Sequence, residues 1–170
     1  NLTYHVFRND GTTNPLLEST ADGEHRETKR YRIFGNVYLQ YRPIKDLTFK
    51  SQFAPQFLYK RYGEVVGKNA KNSTGKAAGV TAKYDQTNYW SYVWDNQITY
   101  DKQLDKHHLN ASFVQSIQME QWEYSNQAAK DFPFNSYWYN LGAAGLSNQT
   151  TSSTNYQKRT LASFLARVLY

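Results

Sequence analysis

The feature that most constrains this chain is a run from Tyr31 to Arg42 in which apolar and polar side chains alternate. One alternate set is apolar and consists of Tyr31, Ile33, Gly35, Val37, Leu39 and Tyr41. The other set is mostly polar and consists of Arg32, Phe34, Asn36, Tyr38, Gln40 and Arg42. A period of two places successive side chains on opposite faces of a β-strand. The run therefore predicts a strand whose apolar face has a tyrosine at each end.

Similar alternation recurs further along the chain. The further runs are Leu47 to Lys60, Trp90 to Tyr100, His107 to Tyr124 and Ser163 to Tyr170. Short turns are predicted at Pro43 to Asp46 and at Asp101 to Lys106, because proline and aspartate favour turns. Pro55 lies inside the second run, where it is expected to mark a bulge or the end of regular pairing. Three segments with little periodicity are predicted as long loops at about 1–30, 61–88 and 125–158.

Alternating short and long connections are typical of an antiparallel up-and-down meander with its long loops at one end. Strands that are apolar on one face and polar on the other suit an outer-membrane barrel, because lipid meets one face and water the other. A strand of about 9 to 11 residues crosses such a bilayer when it is tilted. The predicted fold is all-β: about five strands of a large outer-membrane β-barrel with long extracellular loops.

Composition excludes several other classes of protein. The chain has 170 residues, of which 16% are aromatic, and this surplus argues against a leucine-rich helical bundle. Its longest uncharged apolar run, Leu141 to Leu146, is far shorter than the roughly 18 residues of a transmembrane helix. The absence of cysteine excludes disulfides, thiolate zinc sites and thiol catalysis. The net charge is +6, but the basic residues are spread along the chain and interleaved with acidic ones, so no nucleic-acid partner is predicted.

No pattern of an enzyme or a metal site is present in the sequence. The chain contains no phosphate-binding loop, serine-nucleophile motif or HExxH helix, so neither catalytic residues nor a cofactor are predicted. His107 and His108 are adjacent, but neighbours on a strand point to opposite faces and are not expected to share a metal ion.

Six pieces of the sequence carry a resemblance to a known family. They are Asn14-Pro15-Leu16, Arg32 to Tyr41, Ile44 to Lys50, Tyr92 to Tyr100, His108-Leu109-Asn110 and Leu161 to Tyr170. In this order they resemble the barrel of SusC/RagA-family TonB-dependent outer-membrane transporters. The resemblance spans nearly the whole chain, although each piece alone is weakly specific.

The resemblance implies a function as well as a fold. Such a transporter is a barrel of about 22 strands with a plugged lumen, so this chain is expected to be an internal part of the barrel that lacks the plug and the TonB-interacting segment. The family imports glycans or peptides across the outer membrane. Its partners are a SusD-like surface lipoprotein and TonB, which this chain would contact only through the absent segment.

Two groups of residues are candidates for contact with ligand or lumen. Aromatic side chains in or beside the predicted external loops would stack on a substrate or, equally, pack within the loops: Trp122, Tyr137, Trp138 and Tyr139. Polar side chains opposite the apolar face would line the lumen or hydrogen-bond the plug: Arg32, Asn36, Gln40, Lys50, Gln52 and Gln56. The alternative interpretation is a soluble extracellular β-sandwich that binds carbohydrate through its aromatic residues.

Overall fold

The structure, a computed structural model, describes residues 19–20, 23–67, 70, 79–133 and 136–170. Its strands are β1 (Glu24–Phe34), β2 (Val37–Ile44), β3 (Leu47–Val66), β4 (Thr81–Leu104), β5 (His107–Lys130) and β6 (Gln149–Leu169). They form one sheet in the order β1-β3-β4-β5-β6, and β2 also pairs with β3. This antiparallel meander confirms the predicted fold class. The piece Asn14-Pro15-Leu16 lies outside the described residues.

The strand predicted from Tyr31 to Tyr41 is interrupted at Gly35 and Asn36, which separate β1 from β2. The Gly35 N–H donates to the carbonyl of Pro55 at 3.1 Å. Pro55 has no N–H to return to its neighbour, and β3 continues past it. The regular pairing of β3 with β2 ends at Phe53, opposite Val37, as predicted for the neighbourhood of Pro55, and the interruption itself lies in the partner strand.

The first predicted turn is also shorter than expected. Pro43 belongs to β2, and only Lys45 and Asp46 form the turn. The pairing of β2 with β3 shifts register between Tyr41 and Ile44. A proline is tolerated at such an irregularity because no ladder hydrogen bond requires its missing N–H.

The predicted loop limits were wrong because the strands extend into all three segments. β1 begins at Glu24, β3 continues to Val66, β4 begins at Thr81, β5 continues to Lys130 and β6 begins at Gln149. These extensions are polar, so they show no apolar periodicity. Side-chain pairs across neighbouring strands contribute to their stability instead.

Charged side chains form several of these pairs. The Arg61 guanidinium lies 2.7 Å from the Glu27 carboxylate, and the Arg26 guanidinium lies 3.3 Å from that of Glu64. Hydrogen bonding to Arg61 is the main cause that lowers the pKa of Glu27. The β1 and β3 extensions are thus joined by ion pairs.

The chain divides into two compact units. The first contains the described residues before Tyr31 together with Lys60–Thr87 and Tyr124–Asn155. The second contains Tyr31–Tyr59, Asn88–Glu123 and Tyr156–Tyr170.

A small core forms in the first unit. Its buried members are Val65, Val80, Ala82, Ala129, Phe132, Trp138 and Ala144. The connection between β5 and β6 supplies the last three and includes short 3-10 turns at Leu141–Ala144 and Leu146–Asn148. Asp131, with a positive φ of 57°, begins this connection, and its carboxylate accepts a hydrogen bond from the Gly79 N–H at 3.1 Å. Within the described residues, no helix is long and apolar enough to cross a membrane.

Gly63 permits the closest approach within this core. A Cβ atom at this position would overlap the indole of Trp138. We expect Gly63→Ala to displace Trp138 and to lower the free energy of unfolding by about 1–3 kcal/mol, as overpacking does in other proteins. The measurement is the unfolding midpoint of the full-length protein in denaturant.

Gly35→Ala is the matched control for this substitution. Among the described residues other than its two chain neighbours, no heavy atom lies within 4 Å of a Cβ built at Gly35, so the effect of this substitution should stay within about 0.5 kcal/mol. Equal stability of the two variants would contradict the proposed packing of Trp138 on Gly63.

Candidate functional site

Strand register sorts the side chains of β2 and β3 onto two faces. Val37 lies opposite Phe53, while Gln40 lies opposite Lys50. Directly opposed residues share a face of the sheet. The apolar sets predicted for the two strands therefore lie together, and their polar sets lie together on the reverse.

Contacts within the second unit extend the same two faces to β6. The rings of Phe53 and Tyr92 are 5.5 Å apart, and those of Phe113 and Phe164 are 6.3 Å apart. On the reverse, Ser116 donates to the Asp95 carboxylate at 2.5 Å. We call the first the apolar face, defined by Val37, Phe53, Tyr92, Phe113 and Phe164. The second is the polar face, defined by Gln40, Lys50, Asp95 and Ser116.

The apolar face has large exposed side chains and aromatic residues at both ends. Leu39 is 73% exposed and Phe164 is 68% exposed. Tyr31 stacks on Tyr59 at one end, while Tyr170 stacks on His107 at the turn end. Exposed apolar area costs about 25 cal/mol per Å² in water, and aromatic girdles flank the lipid-facing band of membrane barrels. Water is therefore an unfavourable environment for this face.

Two polar residues interrupt the apolar face, and they bond to each other. Ser51 donates to the Asn96 side-chain oxygen at 2.8 Å, and the Trp94 indole donates to the Ser51 hydroxyl at 3.0 Å. A polar group in an apolar environment is costly unless it is hydrogen-bonded. Ser51 and Asn96 belong to β3 and β4, so the periodicity of either strand alone does not reveal their contact.

Five of the six residues predicted to face the lumen lie together on the polar face. Arg32 donates to the Gln56 amide oxygen at 2.9 Å, and the Lys50 ammonium lies 5.1 Å from the Tyr38 ring centroid. Register pairs Tyr38 with Gln52 and Gln40 with Lys50. The sixth, Asn36, lies in the break between β1 and β2. This grouping provides a polar surface of cations and amides.

The four aromatic candidates do not form one group. Trp138 is only 7% exposed in the core of the first unit, so its ring packs there instead of presenting a face to ligand. Tyr139 is 66% exposed, and its ring centroid lies 5.4 Å from that of Trp138. Tyr137 is half-buried beside Trp138 and His25. Trp122 belongs to β5 in the second unit.

Trp122 lies between two residues that sequence analysis did not select. Its ring centroid is 4.9 Å from that of Tyr89, and the Arg159 guanidinium carbon is 5.7 Å from the Trp122 ring centroid. Tyr89 and Arg159 belong to β4 and β6. Adjacent strands brought these residues together, and no spacing in the sequence signals that contact.

A second polar cluster lies in the first unit, within the range predicted as an extracellular loop. Tyr62 donates to Glu64 at 2.6 Å, and Lys83 lies 3.0 Å from Asp85. Burial, followed by the hydrogen bond to Glu64, raises the pKa of Tyr62 to about 12. A polar depression of about 340 Å³ is lined by Lys60, Tyr62, Asp85, Thr87 and Tyr124.

The two adjacent histidines lie on opposite faces, as predicted. His107 stacks on Tyr170, whereas His108 lies 2.9 Å from Asp101 on the reverse. In the described part of the chain, no three His, Asp or Glu side chains gather as metal ligands would.

Titration of Tyr62 should show its raised pKa. The folded chain keeps the phenol proton between pH 10.0 and about 12, whereas the unfolded chain loses it near 10.0. This contribution to stability is complete below pH 10.0 and is lost as the pH rises through 12. The measurement is the ultraviolet tyrosinate signal that Tyr62→Phe removes.

Glu64→Gln is the control for the electrostatic part of this shift. It removes the charged acceptor while leaving the burial, so the midpoint should fall but stay above the ordinary value. A wild-type midpoint near 10.0, or no change in Glu64→Gln, would contradict the described contact.

The chain is similar in sequence to a known receptor. TonB-dependent receptor P3 of Formosa agariphila is 28% identical over 164 residues, which cover 95% of this chain and 16% of that receptor. No protein-family model matches the chain.

Solved structures of the RagAB peptide transporter share the fold. One structure of the RagAB peptide transporter matches with a TM-score of 0.79 at 16% identity, and the match covers 93% of this chain and 17% of that chain. The 'open-open' state of the RagAB peptide importer matches with a TM-score of 0.78 at 17% identity and with the same coverage. The chain thus spans about a sixth of the length of these proteins. The chain is thus similar in sequence to a stretch of a TonB-dependent receptor and has the fold of part of the RagAB transporter.

Proposed function

We propose that this stretch forms part of the wall of an outer-membrane transporter that imports oligopeptides or glycans with a SusD-like surface lipoprotein. The proposal rests on one observation: the sheet of the second unit has an apolar face and a polar face. Lipid would cover the apolar face, and the lumen or plug would meet the polar face.

The unpaired edge of β6 supports the placement of this sheet in a closed barrel. β6 is the last strand in the sheet order, and its large apolar side chains are exposed. A strand whose backbone groups are unpaired is not stable in lipid, because each unsatisfied group costs several kcal/mol. Further strands of the receptor would pair with this edge.

Lumen contact is the role proposed for five polar residues. Arg32, Gln40, Lys50, Gln52 and Gln56 present guanidinium, ammonium and amide groups on the polar face. Such groups hydrogen-bond either a plug or a passing substrate. Asn36, beside them in sequence, has the same proposed role.

Contact with substrate or the lipoprotein is the role proposed for Tyr137 and Tyr139. Tyr139 presents an exposed ring, and tyrosine supplies both an apolar face and a hydroxyl at interfaces. The peptide transport named for RagAB and the receptor relative support an import function. TonB would supply energy through another part of the receptor.

Cysteine labelling tests the orientation of the wall. Val37 and Phe53 lie directly opposite each other on the apolar face. In the full-length receptor, Val37→Cys and Phe53→Cys should react with a lipid-soluble maleimide from the bilayer, since both would contact acyl chains. The measurement is the labelled fraction in intact outer membranes.

Gln52→Cys supplies the matched control, because Gln52 adjoins Phe53 and lies opposite Tyr38 on the reverse face. It should resist the lipid-soluble reagent. Labelling of Gln52→Cys in preference to both apolar-face variants would contradict the proposed orientation.

A further inference from the structure

A small polar pocket lies on the three inner strands of the sheet, within the second unit. This depression of about 220 Å³, which we call the rim pocket, is lined by Phe57, Asn88, Tyr89, Trp90, Gln121 and Glu123. The lining residues belong to β3, β4 and β5, each of which has a neighbouring strand on both sides. Further strands of a barrel would pair with the outer edges of the sheet and leave the rim pocket uncovered.

Strand parity places the polar side chains of the rim pocket on the apolar face. Asn88 has the parity of Tyr92 in β4, and Glu123 has the parity of Phe113 in β5. Trp90 lies between Asn88 and Tyr92 on the same face of β4. The apolar face thus continues as far as Trp90 and becomes polar at Asn88 and Glu123.

The rim pocket lies at the end of the apolar face that is remote from the short turn between β4 and β5. In outer-membrane barrels, short turns lie on the periplasmic side, and an aromatic girdle marks each membrane interface. The Trp90 side chain is 38% exposed beside the pocket, and the stacked rings of Tyr31 and Tyr59 belong to the same end. In the proposed orientation, the rim pocket therefore lies at the depth of the outer lipid headgroups.

Hydrogen-bonding groups of the rim pocket remain available to a ligand. The Gln121 amide donates to one oxygen of the Glu123 carboxylate at 3.1 Å. In the described part of the chain, Glu123 has no cationic partner, and the Asn88 side chain forms no hydrogen bond. No lysine or arginine is among the residues that line the pocket. It therefore combines one unpaired carboxylate and two amides with an exposed indole.

This combination suits a sugar better than a phosphate or an ammonium group. Sugar hydroxyls both donate and accept hydrogen bonds, as carboxylate and amide groups require, and the C–H groups of a sugar ring pack against an aromatic face. A phosphate would meet the charge of Glu123 without a compensating cation. An ammonium group would leave the amide donors without acceptors.

We propose that Asn88, Trp90, Gln121 and Glu123 bind a sugar in the headgroup of an outer-leaflet glycolipid. Acyl chains of that lipid would lie on the adjoining apolar face and hold the sugar at a high effective concentration. The pocket is smaller than the roughly 300–1,000 Å³ of sites that enclose a drug-sized ligand, which suits a single ring held in this way. The inference rests on the proposed function, because it requires lipid at the apolar face.

Native mass spectrometry of the purified full-length receptor in detergent tests the glycolipid site. The probes are a monoglucosyl diacylglycerol and, with the same acyl chains, phosphatidylethanolamine and phosphatidylglycerol. Glu123→Gln should weaken binding of the glycolipid about tenfold, the usual scale for loss of a hydrogen bond to a charged group. Binding of both phospholipids should not change. An unchanged glycolipid affinity, or an equal or larger loss for either phospholipid, would overturn the proposal.

The indole is tested in the same titration. Trp90→Leu should weaken glycolipid binding about two- to tenfold, because it removes the aromatic face. Trp94→Leu is its matched control, since Trp94 lies further along the same face of β4. Equal losses in the two variants would contradict a contact between the sugar and Trp90.

Glu120→Gln is the matched control for the carboxylate. Glu120 belongs to the same strand as Glu123 but has the opposite parity, so it lies on the reverse face. This substitution removes the same charge and should leave glycolipid binding unchanged. Losses as large as those of Glu123→Gln would overturn the site.

Methyl glucoside distinguishes a lipid headgroup from a free sugar. It carries the sugar without acyl chains, so at equal concentration it should not displace the glycolipid. Displacement at equal concentration would overturn the assignment to a lipid.

Labelling of Val37→Cys in the Glu123→Gln background separates this proposal from the proposed function. Retained labelling together with an unchanged glycolipid affinity overturns the glycolipid site alone. Loss of apolar-face labelling in the otherwise wild-type receptor instead contradicts the wall on which both proposals depend.

Discussion

The side-chain alternation of extended strands is the constraint on which this structure depends. It gives every strand two faces, and antiparallel pairing then determines which alternate side chains of neighbouring strands share a face. Val37 opposite Phe53 and Gln40 opposite Lys50 set the arrangement for the first hairpin. Because a register slip of one residue would exchange the two faces, the whole sheet depends on these pairings.

A different kind of contact joins the polar strand extensions of the first unit. Ion pairs such as that of Arg61 with Glu27 join β1 to β3, and a small core around Trp138 closes the β5–β6 connection. Exposed ion pairs are each worth little, typically about 0–1 kcal/mol. Backbone pairing and the packing of Trp138 on Gly63 therefore stabilise this unit more than its exposed ion pairs do.

The sequence was sufficient to predict the meander, the two faces and the grouping of Arg32 with Gln56. Each of these follows from a period of two and from short turns. The strand ends were not predictable in the same way, because residues 24–30 are charged or polar and show no apolar repeat. The burial of Trp138 and the contact of Arg159 with Trp122 also depend on residues distant in sequence, which local patterns do not bring together.

The central claim is that one face of this sheet meets lipid and the other does not. Two tryptophans of the second unit test it directly, because Trp94 shares its face with Ser51 and Trp122 contacts Arg159 on the reverse. The measurement is fluorescence quenching by lipids brominated in their acyl chains. It is made on two full-length variants, each of which retains either Trp94 or Trp122 as its single tryptophan. Strong quenching of Trp94 with weak quenching of Trp122 is the predicted result, and equal or reversed quenching would contradict the account.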